Sequence, residues 1–308
     1  MQQTKTIPAR RDGLGRQIRR RIRSGVRGLR FSRLVLYVVM LALVLFTSLP
    51  LIYVVCTAFK PINELYIFPP QFFVRNPTTQ NFGDLLMSLS TSTVPFTRYI
   101  FNSVLTAGLT VLCTVMVCSM GAYGLAKHKP KGSGIIFTII VASLMFSNHV
   151  TQIPRYMVVN GMGIINTYAA LILPNIAVAY NFFLMKQFIE QFPNELLEAA
   201  RMDGAGEWTT FSRIVMPSLK PAWCTLIMLS FVSIWNDYFT PLIFTTSQTM
   251  KTLPLALQTI AGGPAQSSIG RMGAVSAATF LMTVPTIVLF LLMQRRVMET
   301  MVYSGIKA

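Results

Sequence analysis

Few side chains in this chain of 308 residues can do chemistry, and they are bunched. Only ten residues are acidic, and five of them, Glu190, Glu195, Glu198, Asp203 and Glu207, fall between Lys186 and Pro221. Asp237 stands apart in an otherwise uncharged run, where a carboxylate is costly enough to suggest a use. The usual catalytic arrangements are missing: there is no GxSxG elbow, no HExxH pair and no clustered carboxylate site. No Gly is followed by Lys, which excludes a GxxxxGK[ST] phosphate loop, so any ATP driving this protein is bound by another polypeptide. His128 and His149 have no second ligand at metal spacing; the first reads as an interface residue and the second as a residue within an apolar run. No metal and no cofactor is expected in this chain.

The elements that must position these groups are set by hydropathy. The composition is 53% hydrophobic and only 12% charged, with a mean hydropathy of +0.54, where soluble domains carry about 25% charge. A soluble globule is excluded. Uncharged stretches run over 34–59, 99–126, 135–154, 164–185 and 273–294, and 222–246 is interrupted only by Asp237. Each is long enough at about 1.5 Å per residue for a hydrocarbon layer of about 30 Å. Without the alternation of barrel strands they predict six transmembrane helices. The chain then divides into a basic tail (1–33), a first helix (34–59), a loop (60–98), a five-helix core (99–296) containing the 186–221 loop, and a C-terminal tail (297–308).

Charge orients this frame. Of the 27 Lys and Arg residues, 21 fall on one side of the six spans, so both termini are expected in the cytoplasm. The apolar run after the tail is too long for a signal peptide's core of about 7–15 residues. The tail has no interleaved aromatics and abuts a span, so it reads as a topology determinant against anionic lipid and not as a nucleic-acid arm. Cys56, Cys113, Cys118 and Cys224 fall in the predicted spans and read as small hydrophobes.

The 186–221 loop is far longer than two neighbouring spans need. Pro193-Asn194 offers a helix start with Asn194 as cap, and Glu195 suits the positive helix end. Gly204 suits a left-handed stop. A second amphipathic run, Trp208, Phe211, Ile214 and Val215, is closed by Pro217 and Pro221. Two short helices at a Gly corner, displayed on one side of the membrane, would fit a groove in a soluble partner.

The residues Glu198-Ala199-Ala200, Gly204, Ile214 and Met216-Pro217 closely resemble the EAA signature, EAA-x3-G-x9-I-x-LP, of binding-protein-dependent ABC importer permeases. Met216 replaces the usual Leu, a volume-conserving change. Further similarity points to the MalG-like carbohydrate-uptake branch: Phe68-Pro69-Pro70, Asn76-Pro77-Thr78, Asn81-Phe82, Asn102-Ser103, Ala122-Tyr123 to Lys127, Gln152-Ile153-Pro154, Asn166-Thr167, Trp235-Asn236-Asp237, Pro241-Leu242, Thr252-Leu253-Pro254 and, more loosely, Gly305-Ile306-Lys307-Ala308.

The resemblance implies an all-α type I importer permease in a bacterial inner membrane. It implies a second, homologous permease subunit, two ATP-binding cassette subunits holding ATP and Mg, and an external sugar-binding protein. It also implies that the loop couples to the ATPase, with Glu198 as charged contact, Ala199 and Ala200 allowing close approach, Asp203 beside the corner, Gly204 forming it, and Ile214 and Pro217 completing the element. Asn148, Asn175, Asn181 and Asn236 have the bonding capacity for sugar hydroxyls, Tyr180 and Trp235 for stacking, and Asp237 for contact or gating. Joining the spans, or capping a helix in the case of Asp237, is the commoner use of such groups. A glycerol phosphate or uronic-acid oligosaccharide cargo would need converging Arg or Lys in the spans, and none is read there. The rivals of another class are a membrane enzyme using Asp237 and His149, and an ion-coupled carrier.

Overall fold

The structure is a computed structural model that describes the backbone of residues 12–90, 94–261 and 268–305, with side chains over 33–87, 94–259 and 272–297. The basic side chains before Arg33, and Ile306, Lys307 and Ala308, lie outside the described residues. All regular structure among the described residues is helical, and the chain divides into two units, Met1–Cys56 and Thr57–Ala308.

Helix α1 (Asp12–Ala58) is continuous through the expected boundary at 33/34, and its apolar part, Arg33–Ala58, is long enough to cross a membrane. Two short helices follow, α2 (Ile62–Leu65) and α3 (Gln80–Ser90). Polar ties hold the loop between them: Glu64 accepts from the Arg75 and Asn76 backbone N–H groups at 3.1 and 2.9 Å, and Asn81 Nδ2 donates to the Ala58 and Lys60 carbonyls at 2.9 and 2.7 Å. The Arg75 N–H bond, aided by that of Asn76 and by the nearby Lys60 charge, holds the Glu64 carboxyl below the usual carboxylate range against the opposing effect of burial.

Helix α4 (Phe96–Tyr123) extends through a π-helical turn (Gly124–His128). Its buried face carries Asn102, Ser103, Thr106, Ala107, Thr110, Thr114 and Cys118, while Leu112, Met116 and Val117 are exposed. A small-residue face at helical spacing lets neighbouring backbones approach, which is how helices associate in lipid. At Gly121 a Cβ would sit 2.9 Å from the Phe182 ring.

Two predicted spans are bent, and a third is cut short. The stretch expected as one helix over 135–154 is α5 (Ser133–Ser143) and α6 (Asn148–Gly161), which meet at 112°. Ser147 starts the second helix by accepting from His149 N, so Ser147-Asn148-His149 reads as a helix start inside an apolar average. The next pair, α7 (Tyr168–Ile176) and α8 (Ala179–Glu190), bends by 45° just after Pro174. Then come α9 (Asn194–Met202) and α10 (Glu207–Thr209), which runs through a π turn (Thr210–Val215) into α11 (Met216–Ser218). This segment meets α12 (Lys220–Trp235) at 77°.

The predicted 222–246 span is thus wrong at its far end. α12 stops at Trp235, and a separate α13 (Phe239–Phe244) begins after Asp237, whose Oδ1 accepts from the Phe239 and Thr240 N–H groups at 2.9 and 3.1 Å. A 3-10 turn, α14 (Leu253–Ala261) and α15 (Ser268–Gly305) complete the chain. Among the described residues three helices are long and apolar enough to cross a membrane unaided, and counting each bent pair as one crossing gives up to six.

Candidate functional site: a loop at one end, a polar cavity at the other

The 186–221 loop stands on an apolar platform. Leu197 of α9 and Phe211, Val215 and Leu219 of the following segment are buried with Tyr123 and Ala126 of α4, Met185 and Ile189 of α8, and Leu226 of α12. The loop is therefore anchored directly to the ends of three long helices. Glu207 adds a polar latch: its carboxylate meets Arg201 Nη2 at 3.0 Å, Tyr123 Oη at 3.2 Å and His128 Nε2 at 3.3 Å. Desolvation pushes its pKa up, but the Arg201 bond and charge, the His128 charge and the Tyr123 hydroxyl outweigh it and hold the carboxyl below the usual range. Lys127 ties down the loop's entry through the Phe192 carbonyl at 2.6 Å and Asn194 Oδ1 at 2.9 Å.

Asn194 is thus not the cap: Pro193 occupies that position, and the Asn194 side chain is turned to Lys127. The corner is as expected. Gly204 has φ +77°, the Ala205 N–H reaches the Ala200 carbonyl at 2.9 Å and the Gly204 N–H reaches Arg201 O at 3.0 Å. These are the paired bonds of a Schellman stop. The second helical segment ends at Ser218, between Pro217 and Pro221, as expected. Pro217 begins α11 and Pro221 begins α12, and the π turn just upstream, closed by Met216 N–H to Phe211 O, widens the helix where a proline ring crowds the preceding turn. The apolar run also splits, with Phe211 and Val215 buried and Ile214 half-buried, while Trp208 is 61% exposed.

What remains on the surface is the tip. Glu198, Ala199, Asp203 and Gly204 are exposed, Leu196 is exposed beside them, and Met202 is 89% exposed. Ala200 is buried. Among the described residues neither the Glu198 nor the Asp203 carboxylate has a hydrogen bond or ion pair. Glu198 also lines a cavity of about 420 Å³ with Lys127, Lys129, Glu190, Asn194 and Arg201. An unpaired carboxylate among exposed apolar side chains on a rigid base is the make-up of a docking surface.

The opposite end of α12, 16 residues away and so about 24 Å along the axis, carries a different arrangement. A cavity of about 450 Å³ is walled by α6, the α7–α8 bend, α12 and α13, with Asn148, His149, Gln152, Arg155, Asn175 and Asp237 among its lining. Arg155 Nη2 donates to the Pro174 carbonyl at 2.7 Å, satisfying backbone freed at the bend. Of the predicted path residues, only Asn148, Asn175 and Asp237 line this space. Asn181 is buried and bonded to Ser230 Oγ at 3.0 Å. Trp235 is buried, stacks on Phe231 and donates to the Met282 carbonyl at 3.0 Å. Asn236 folds back on Val232 O at 2.8 Å, and Tyr180 is exposed away from the cavity. Gln152 and Arg155 are not among the residues the sequence suggests there, while His149 is paired with Asp237 only in the enzyme rival; no Arg or Lys is read in the spans from the sequence, and the 112° turn between α5 and α6 brings one, Arg155, into the wall.

Several of the short sequence matches are knots that hold this end together. Asn102 Nδ2 donates to the Thr249 and Lys251 carbonyls, both at 2.8 Å, and Ser103 Oγ accepts from Leu253 N at 2.8 Å. Asn166, at φ +62°, accepts from Thr246 and Ser247 N–H groups at 3.2 and 3.0 Å.

Comparison with known proteins agrees with this layout. Residues 116–298 match the family model described as binding-protein-dependent transport system inner membrane component. The chain is 29% identical over 275 residues to the arabinooligosaccharides transport system permease protein AraQ of Bacillus subtilis, covering 89% of this chain and 96% of that one. It is 32% identical to the lactose transport system permease protein LacG of Rhizobium radiobacter (66% and 73% covered) and 34% identical to the melibiose/raffinose/stachyose import permease protein MelC of Bacillus subtilis (63% and 70%). A crystal structure of a bacterial ABC transporter involved in the import of the acidic polysaccharide alginate shares the fold, with a TM-score of 0.76 at 21% identity over 87% of this chain and 97% of that one. With the signature loop, the bent spans and a family match over most of the helical core, the chain belongs to the inner membrane components of binding-protein-dependent transport systems.

Proposed function

We propose that this chain is a membrane permease subunit of a bacterial ABC importer for a sugar or oligosaccharide delivered by an external binding protein. The observation that carries the reading is the 194–217 loop, which combines the signature residues with an exposed, unpaired Glu198 on a platform built from the ends of α4, α8 and α12. Three relatives named for sugar transport support the cargo class. In this reading the loop and both termini are cytoplasmic, a second homologous permease completes the pathway, and two ATP-binding subunits hold ATP and Mg.

Mechanically, α9 with Glu198, Ala199 and Asp203 seats in a cleft of one ATPase subunit. Gly204 sets the angle between α9 and the next helix, and Ile214 and Pro217 lie in the segment that passes movement into α12. Closure of the ATPase pair then displaces the loop as a rigid body, because buried apolar contacts and the Glu207 latch leave it no soft joint. The test is a mild-detergent pull-down of this subunit from its native membrane. Co-recovery of a homologous permease and a P-loop ATPase, both lost on disrupting 194–217, is expected; recovery of this chain alone, from a preparation that preserves other membrane complexes, overturns the reading.

A further inference from the structure

We infer that the cavity among α6, the α7–α8 bend, α12 and α13 is a saccharide-binding site of this subunit, specific for neutral sugar hydroxyls, with Asp237 as the charged acceptor and Arg155 as the charged donor. The inference rests on the proposed sugar-import function and adds to it a site and a ligand charge. Its volume of about 450 Å³ is within the range of about 300–1,000 Å³ in which small-molecule sites fall.

The bonding capacity of the wall is the argument. Asp237 uses Oδ1 to cap α13, which leaves Oδ2, and Arg155 spends one N–H on Pro174 O out of a guanidinium's five. The two groups lie on the same cavity but do not close on each other as an ion pair. Asn148 and Gln152 have no side-chain hydrogen bond among the described residues, and the Asn175 amide uses only Nδ2, on Leu171 O at 3.0 Å. A sugar hydroxyl donates and accepts at once, and a wall of amides with one cation and one anion matches a row of them. Tyr238 and Phe239 add aromatic surface to the same wall. Polarity continues inward, where a space of about 10 Å³ shares Asn175, Asp237 and Thr240 with the cavity and is lined by Thr252. The Thr252 hydroxyl is buried without a partner. A fixed cation balanced by a carboxylate favours a neutral ligand over an anionic one.

The experiment uses the whole importer in its native cells, with labelled lactose, raffinose and an arabinooligosaccharide as neutral probes and an alginate-derived oligouronate as the acidic one. Arg155→Gln and Asp237→Asn are compared with wild type for uptake and for the amount of assembled complex in membranes. Asn retains the oxygen that caps α13, so Asp237→Asn separates binding from folding. We expect uptake of the transported neutral probe to fall about tenfold in both variants while the amount of assembled complex in the membrane stays within about twofold of wild type. Unchanged neutral uptake in both variants, with wild type active, overturns the site and leaves the importer standing. Uptake of the oligouronate by wild type, lost in Arg155→Gln and improved in Asp237→Asn, overturns the neutral assignment. If wild type takes up none of the probes, the sugar-import function fails and the inference falls with it.

Discussion

The two ends of α12 use polar side chains in opposite ways. At the loop end they are spent on each other: Glu207 is held by Arg201, Tyr123 and His128, and Lys127 by Phe192 O and Asn194. At the tip, Glu198 and Asp203 have no side-chain partner among the described residues. At the cavity end the groups that face the space keep bonding capacity, while their neighbours Asn181, Trp235 and Asn236 are consumed in packing. A lever has to be stiff behind a reactive tip, and a binding wall has to stay unsatisfied until its ligand arrives. The contrast assigns the two ends different work within one helix.

Variants can break that contrast. The largest effect is expected from Gly204→Pro. Proline cannot adopt φ +77° and removes the N–H bonded to Arg201 O, so the corner is lost and uptake falls about 100-fold or more at normal membrane levels of the protein. Glu198→Lys leaves every contact in the structure intact and reverses the exposed charge. Uptake should drop about tenfold with the thermal stability of the subunit unchanged, and a stability loss would show that Glu198 belongs to the frame.

Glu207→Gln removes the latch charge while keeping its shape. Pairs this exposed contribute about 0.2–1 kcal/mol each, so uptake is expected to fall about two- to fivefold, with faster amide hydrogen exchange in α9. Asn236→Ala sharpens the other end: its amide bonds only within its own helix, so uptake within about twofold of wild type is expected, in contrast to its neighbour Asp237. The smallest effect concerns the loop after α1. The stability contributed by ionised Glu64, whose folded pKa is lowered, is present above its unfolded value of about 4.3 and is lost as pH falls through the depressed folded value. Protection of the Arg75 and Asn76 amides should therefore hold at neutral pH and weaken only in acid.

The loop was legible in the sequence because its residues are contiguous: helix formers, acids and Gly204 state the corner within some twenty positions. Its supports were less so. Glu207 reads as one more loop acid, and only the fold shows that Tyr123 and His128, about 80 positions earlier, close on it. Six apolar stretches were countable, but the turn at Ser147 and the break at Asp237 were hidden, since averaged hydropathy does not register a helix cap. The cavity followed the same rule. Asn148 and Asp237 stood out as polar residues in apolar runs, whereas Arg155 counted as a loop residue until the 112° turn brought α6 into the wall. Asn181 and Trp235 looked equally suited to a ligand, and their partners Ser230 and the Met282 carbonyl are distant in sequence.

The most direct test of the central claim is a cross-link from the tip. With Cys56, Cys113, Cys118 and Cys224 replaced, a single cysteine at the exposed Ala199 is paired with one at the exposed Gln248 as control. The native complex is treated with a short bifunctional thiol reagent, with and without ATP. We predict that position 199 joins a P-loop ATPase subunit, that ATP alters the yield, and that position 248 gives no such product. Equal cross-linking from both positions, or none from position 199 in a complex that still hydrolyses ATP, would contradict the assignment of this loop as the coupling element.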